Sequence, residues 1–134
     1  MTLRVEGMVP LLQVFDMPVS LAFYRDLLGF ERVQDSGGGE RCDWIWLRRG
    51  AVDLMLNTAY EADHRPPAPA AGRVAAHRDT GLFFACPDVD AAHAYFLAKG
   101  LALDPPTTTG YGMKQLYLSD PDGYVLCFQG SSKP

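Results

Sequence analysis

Residues 9–31 read VPLLQVFDMPVSLAFYRDLLGFE, and this stretch decides the fold. It begins with an apolar run typical of a strand, and Asp16 follows as a residue that can cap the first turn of a helix. Pro18 fits within that turn, because the backbone donor it lacks has no helical partner there. Gly29 then stands where helices commonly end in the left-handed conformation. The stretch therefore predicts a strand, a capped helix and a return into a second strand.

The same pattern occurs again 72 positions later, counted from Asp16 to Asp88. An apolar run at 81–87 precedes Asp88, and Gly100 follows the second helix candidate. Further strand candidates follow each helix, including a weak one near Leu101 in the second copy. We therefore predict that a βαβββ unit occurs twice in the chain. The apolar stripes predicted for the two helices are Val19, Phe23 and Leu27, and Val89, Ala92 and Phe96.

The composition limits the classes of function. The 134 residues carry a net charge of −4 and no cluster of basic residues, which argues against a nucleic-acid interface. No run approaches the roughly 20 apolar residues that a membrane span requires, and the first residues do not have the pattern of a signal peptide. The three cysteines, Cys42, Cys86 and Cys127, are widely spaced, so we expect no disulfide framework and a cytoplasmic location.

The two copies are predicted to form a single domain over residues 1–134. Its modules would span 7–57 and 79–130, joined by a linker at 58–78 that is rich in Ala and Pro. Two interpretations of this linker stay open: an extended surface connection, or a loop that partly covers a pocket.

The opening stretch, the duplication and a closing YGMKQLYLSDPDGYVLCF at 111–128 together resemble the vicinal oxygen chelate (glyoxalase/bleomycin resistance protein/dioxygenase) superfamily. The resemblance implies an α+β fold of two tandem βαβββ modules, whose curved mixed sheets enclose a cleft. It also implies a homodimer, which the exposed edge strands of a small domain favour.

The resemblance also concerns metal binding. Metal-using members of the superfamily hold a divalent ion through His, Gln and Glu side chains, and the matching positions here are Val9, Leu54, Gly81 and Cys127. Two of these have no donor atom, one has no side chain, and a single thiolate is a poor ligand for a hard ion. We therefore expect no metal and no cofactor. The three histidines, at 64, 77 and 93, show no recognised ligand spacing.

Strand alternation, together with the resemblance, predicts which side chains face a bound molecule. For the two tryptophans, packing in a core is an equally good alternative, and Tyr111 can also be read as a simple loop aromatic. Cys127 is expected to be a small buried apolar residue, and no catalytic residue is predicted. The predicted ligand-binding residues are Leu11, Gln13, Trp44, Trp46, Phe83, Tyr111, Gln115, Tyr117 and Cys127.

Val9-Pro10 and Tyr111-Gly112 match the bleomycin-resistance branch, whose members lack the metal ligands and sequester a drug. The expected function is therefore metal-independent binding of an aromatic or planar antibiotic or toxic compound, which would confer resistance without catalysis. One alternative is a metal-dependent lyase, isomerase or oxygenase of the glyoxalase/dioxygenase type with unorthodox ligands. Another is a purely regulatory or partner-binding role.

Overall fold

The computed structural model describes residues 2–132 and divides the chain into two compact units, one ending at Pro67 and the other beginning at Ala68. Each unit contains the order strand, helix, three strands, and each builds one four-stranded mixed sheet. The predicted α+β fold with two βαβββ units is therefore confirmed. None of the helices between residues 2 and 132 has the length and apolar character of a membrane span.

The first unit builds its sheet in the order β1-β4-β3-β2. β1 runs parallel to β4, and the other neighbours are antiparallel. α1 continues directly into a π-helix. The elements are β1 (Leu11–Val14), α1 (Met17–Leu21), the π-helix (Ala22–Leu27), β2 (Glu31–Asp35), β3 (Trp44–Arg49) and β4 (Val52–Thr58).

The predicted helix signals of the first unit are present, but the predicted apolar stripe is wrong. The Asp16 carboxylate accepts a hydrogen bond from the Val19 backbone at 3.4 Å, and Gly29 has a φ of 80°. Val19 is half exposed, however. This helix carries apolar residues on more than one face, so their spacing alone does not determine which face is buried. The apolar residues buried here are Met17, Leu21, Tyr24 and Leu28.

The second unit repeats the arrangement in the order β5-β8-β7-β6, with β5 parallel to β8. The Asp88 carboxylate caps its main helix, accepting from the Ala91 backbone at 2.9 Å. No strand forms near Leu101 within the described chain; pairing begins only after Pro105 and Pro106, which have no backbone donors to offer. The elements are α2 (Ala71–Ala76), β5 (Gly81–Ala85), α3 (Val89–Ala98), β6 (Thr107–Thr108), β7 (Met113–Ser119) and β8 (Val125–Ser131).

One face of each sheet forms the core of its unit. In the first unit this face is made by Leu12, Val14, Ile45, Leu47, Leu54 and Leu56, and α1 packs against β4. In the second unit it is made by Leu116, Leu118, Leu126 and Phe128, against which α3 packs through Phe96. The opposite faces carry Trp44 and Trp46 in the first unit and Phe83 and Tyr117 in the second, and we call them the first and second aromatic faces.

The strand register corrects one expectation. As a position that matches a metal ligand, Leu54 is predicted to face the cleft together with Leu11, but Leu11 pairs with Met55 while Leu54 pairs with Leu47 and is buried. A one-residue offset in a strand moves a side chain to the other face of the sheet. Leu54 is therefore a core residue.

Part of the linker is folded onto the turn between β7 and β8. Arg73 of α2 donates to the Asp122 carboxylate at 2.9 Å, and Nδ1 of His77 lies 2.7 Å from the Asp122 carbonyl oxygen. The His77 ring stacks on Tyr124 with 3.9 Å between centroids. A Cβ at Gly123 would collide with the backbone of α2. These contacts hold residues 71–79 in place without a bulky apolar side chain.

Candidate functional site

The first aromatic face collects the predicted residues of the first unit. The Asn57 amide lies on the same face and donates to Gln13 Oε1 at 3.4 Å, and Met55 lies between Leu11 and Trp46 in the register. The face thus combines two indoles with a pair of amides. The predicted residues that share it are Leu11, Gln13, Trp44 and Trp46.

Trp46 has an unusual environment on this face. Its indole nitrogen is buried and has no hydrogen-bond partner among the described residues. The Arg48 guanidinium lies 5.3 Å from the ring and is held by Asp53, whose carboxylate oxygen is 2.6 Å from Nε. A buried donor without an acceptor costs about 1–3 kcal/mol.

The second aromatic face collects residues from three strands. Phe83 of β5 and Tyr117 of β7 both pair with Cys127 of β8, and Gln115 pairs with Gln129. The two rings meet edge to face at 6.3 Å, yet Phe83 is 56% exposed and Tyr117 is 47% exposed. Exposed rings next to amides form a surface on which a flat molecule can stack.

A hydrogen-bond network centred on Gln115 crosses this face. Its Nε2 donates to Gln129 Oε1 at 3.0 Å and to the Tyr111 hydroxyl at 3.3 Å. Its Oε1 accepts from the Tyr117 hydroxyl at 3.2 Å. Gln115 is itself buried, so the three bonds fix its amide. Tyr111, which precedes β7, thereby joins the group that the strand register assembles.

Cys127 lies beneath the network and is completely buried. Burial raises the pKa of its thiol, and the hydrogen bond from Tyr117 only partly opposes that effect. Burial also raises the pKa of the Tyr117 phenol, and its hydrogen bond with Cys127 adds to the increase. Both groups therefore keep their protons at neutral pH, so the thiol is a poor nucleophile and the phenol a poor base.

An open pocket of about 420 Å³ adjoins the network. This volume falls within the usual range for small-molecule sites, about 300–1,000 Å³. Gln129 and Met113 were not among the predicted site residues, although Gln129 follows Cys127 by two positions on the same strand face. The lining residues are Phe83, Ala85, Cys86, Pro87, Met113, Gln129 and Gly130.

The first unit has a larger depression, of about 660 Å³, around Gly29 and Gly50. Its lining is largely arginine side chains, of which Arg32 and Arg48 are paired with carboxylates. None of the predicted site residues in the described chain lines it. We therefore place the candidate site on the aromatic faces.

The available donors do not fit the divalent ion that metal-using relatives hold. Among residues 2–132, no three His, Cys, Asp or Glu side chains come close enough to bind a metal ion. Nε2 of His93 lies 3.1 Å from the Leu103 carbonyl, and His77 contacts the turn after β7. No step of a metal-dependent reaction can be assigned to these residues, and the metal-free site stays a prediction.

Comparisons with known proteins agree with this architecture. The family model described as the Glyoxalase/Bleomycin resistance protein/Dioxygenase superfamily matches residues 7–128. A search of curated proteins gave no significant match.

Three similar solved structures cover nearly all of the chain. TnmS3, an antibiotic binding protein from Streptomyces sp. CB03234, is 26% identical with a TM-score of 0.64, over 96% of this chain and 99% of that one. The bleomycin-binding protein from Streptomyces verticillus, complexed with copper(II)-bleomycin, is 23% identical with a TM-score of 0.63, over 95% and 97%. Lactoylglutathione lyase from Agrobacterium tumefaciens is 21% identical with a TM-score of 0.66, over 94% of both chains. The last two likenesses concern the fold alone.

Proposed function

The chain belongs to the Glyoxalase/Bleomycin resistance protein/Dioxygenase superfamily, and from this premise we propose that it is a small-molecule binding protein of the bleomycin-resistance type. It would sequester an aromatic or planar antibiotic or toxic compound without a metal ion. The observation that carries the proposal is the second aromatic face, where the exposed rings of Phe83 and Tyr117 lie beside a fixed amide network and a pocket.

Two further observations support binding over catalysis. The thiol of Cys127 and the phenol of Tyr117 both keep their protons near neutral pH, so neither is prepared to attack or deprotonate a bound compound. The similar structure of TnmS3 belongs to an antibiotic binding protein. A stacking surface with a few orienting polar groups is what a site needs to hold a flat guest.

We also propose that the protein is one domain acting as a cytoplasmic homodimer, built from modules 7–57 and 79–130 with a linker at 58–78. The open edges of both sheets would be protected by pairing, and the free thiols suit a reducing compartment. Light scattering at micromolar concentration should give twice the mass of the chain. A monomer would remove the dimer from this proposal and leave the binding function in place.

The function is tested by calorimetric titration with a panel of glycopeptide, quinone and other aromatic antibiotics. At least one compound should bind saturably at micromolar concentration. Phe83→Ala and Tyr117→Ala should each weaken that binding about tenfold, because stacking of a ring contributes about 1–3 kcal/mol when a flat guest is bound. Tyr95→Ala is the matched control, since Tyr95 is similarly exposed but lies on α3.

Two results would contradict the proposal. One is the absence of saturable binding by every compound in the panel. The other is a bound compound whose affinity is the same for the parent, Phe83→Ala and Tyr117→Ala. Quenching of the emission of Trp44 and Trp46 in the same titrations would report whether the first aromatic face also contacts the compound.

A further inference from the structure

Resting on the proposed function, we propose that the second aromatic face selects planar compounds with a hydrogen-bond acceptor, such as a carbonyl oxygen, on the edge of the ring. Gln129 and Tyr111 would donate to that acceptor. The proposal is supported by the direction of the hydrogen bonds around Gln115, which leaves unused donors on the two outer groups.

The direction begins at the buried end of the network. The Tyr117 hydroxyl donates its only hydrogen to Gln115 Oε1 at 3.2 Å. The hydrogen of the phenol thus points to the amide oxygen of Gln115.

The Gln115 amide nitrogen is the donor of the next two hydrogen bonds in the network. Both hydrogens of its Nε2 are used, one on Gln129 Oε1 and one on the Tyr111 oxygen. Because those two oxygens are accepting, Tyr111 retains its hydroxyl hydrogen and Gln129 retains both hydrogens of its own amide nitrogen. Within the described chain neither of these groups has an acceptor for those hydrogens. The ends of the network therefore present donors that no group in the described chain uses.

These donors stand beside the apolar pocket. Gln129 lines it together with Phe83 and Met113, so a ring lying against Phe83 brings its edge to the Gln129 amide. Tyr111 is 75% exposed and bonds to the same Gln115 nitrogen, which keeps its hydroxyl near that edge. One carbonyl oxygen has two lone pairs and can accept from both groups. A ring without an acceptor would displace the water that solvates these donors and would offer them no hydrogen bond in return, so its binding would be weaker.

The test compares two probes that differ only in this acceptor, 2-trimethylammonio-9-fluorenone and 2-trimethylammoniofluorene, whose shared charged group accepts no hydrogen bond, by calorimetric titration of the full chain. The parent should bind the ketone at least about tenfold more tightly, equivalent to about 1.4 kcal/mol. Gln129→Glu keeps the oxygen that accepts from Gln115 but loses the donating nitrogen, so the two affinities should become equal. Gln34→Glu, on the exposed β2, controls for the added charge and should keep the preference.

Tyr111→Phe is a second variant that removes only one hydroxyl, and it should reduce the preference by about threefold. Equal affinities of the parent for the two probes would overturn the acceptor rule while leaving small-molecule binding in place. A preference that survives in Gln129→Glu and in Tyr111→Phe would overturn it as well. So would binding of neither probe, in which case the antibiotic panel decides separately whether the proposed function stands.

Discussion

Replacing Arg73 by alanine should destabilise the second unit by about 3 kcal/mol. Arg73 donates at 2.9 Å to the carboxylate of Asp122, whose side chain is 2% exposed, while that of Arg73 is 16% exposed. Removing one partner of a buried ion pair costs about 3–5 kcal/mol, because the other charge stays behind in a poorly solvated place. We take the lower end of this range because the Arg73 side chain is only partly buried, with 16% of it exposed.

The measurement is urea denaturation followed by circular dichroism, with Arg4→Ala as the matched control. Arg4 pairs with Glu6 at 3.1 Å, but both side chains are more than four-fifths exposed, so its loss should cost less than about 1 kcal/mol. In a double-mutant cycle, Asp122→Asn should make the Arg73→Ala change much less costly, with a coupling of about 2 kcal/mol.

If Arg73→Ala and Arg4→Ala have the same stability as the parent, the ion pair between Arg73 and Asp122 does not stabilise the fold. A large loss in Arg73→Ala with no coupling to Asp122→Asn would also refute the reasoning, because the loss would then come from some other contact of the arginine.

Two further predictions concern the same unit. Gly123→Ala should cost more than about 2 kcal/mol, because φ is +88° and the new Cβ would meet the α2 backbone, whereas Gly72→Ala within α2 meets nothing and should be neutral or stabilising. An increase in urea midpoint for Gly123→Ala would contradict this. Because burial raises the pKa of the Cys127 thiol, the unfolded chain loses this proton first, and stability should fall as the pH rises beyond the ordinary thiol value. Urea midpoints at pH 8 and pH 10 should show a smaller fall for Cys127→Ala than for the parent; equal falls would count against it.

The sequence could predict the parts of the fold that depend on local chemistry. Asp16 and Asp88 cap their helices, and Gly29 and Gly100 adopt positive φ, because capping and left-handed turns are decided within a few residues. The βαβββ order follows from those signals. The buried stripe of the first helix could not be chosen in this way, because that helix is apolar on two sides.

Features that depend on distant residues were harder to predict. The face on which Leu54 lies depends on the register between β3 and β4, which alternation within one strand does not define. The candidate residues Gln115 and Tyr117 were found from alternation and resemblance. The hydrogen bond that joins this group to Gln129 could not be predicted, because it depends on the pairing of β7 with β8. The attachment of the linker was not predicted either, because Asp122, the partner of Arg73 and His77, lies 49 and 45 residues further along the chain.

The contact between α2 and the turn at Gly123 has a consequence for engineering. Hairpin turns are usually the first places where a protein accepts an inserted peptide, a new pair of termini or a protease cut. Here the turn is buried, and the backbone of another segment occupies the space where its missing side chain would be. The exposed glycines at 37–39, which meet almost nothing, are the better place for a label or a fused reporter.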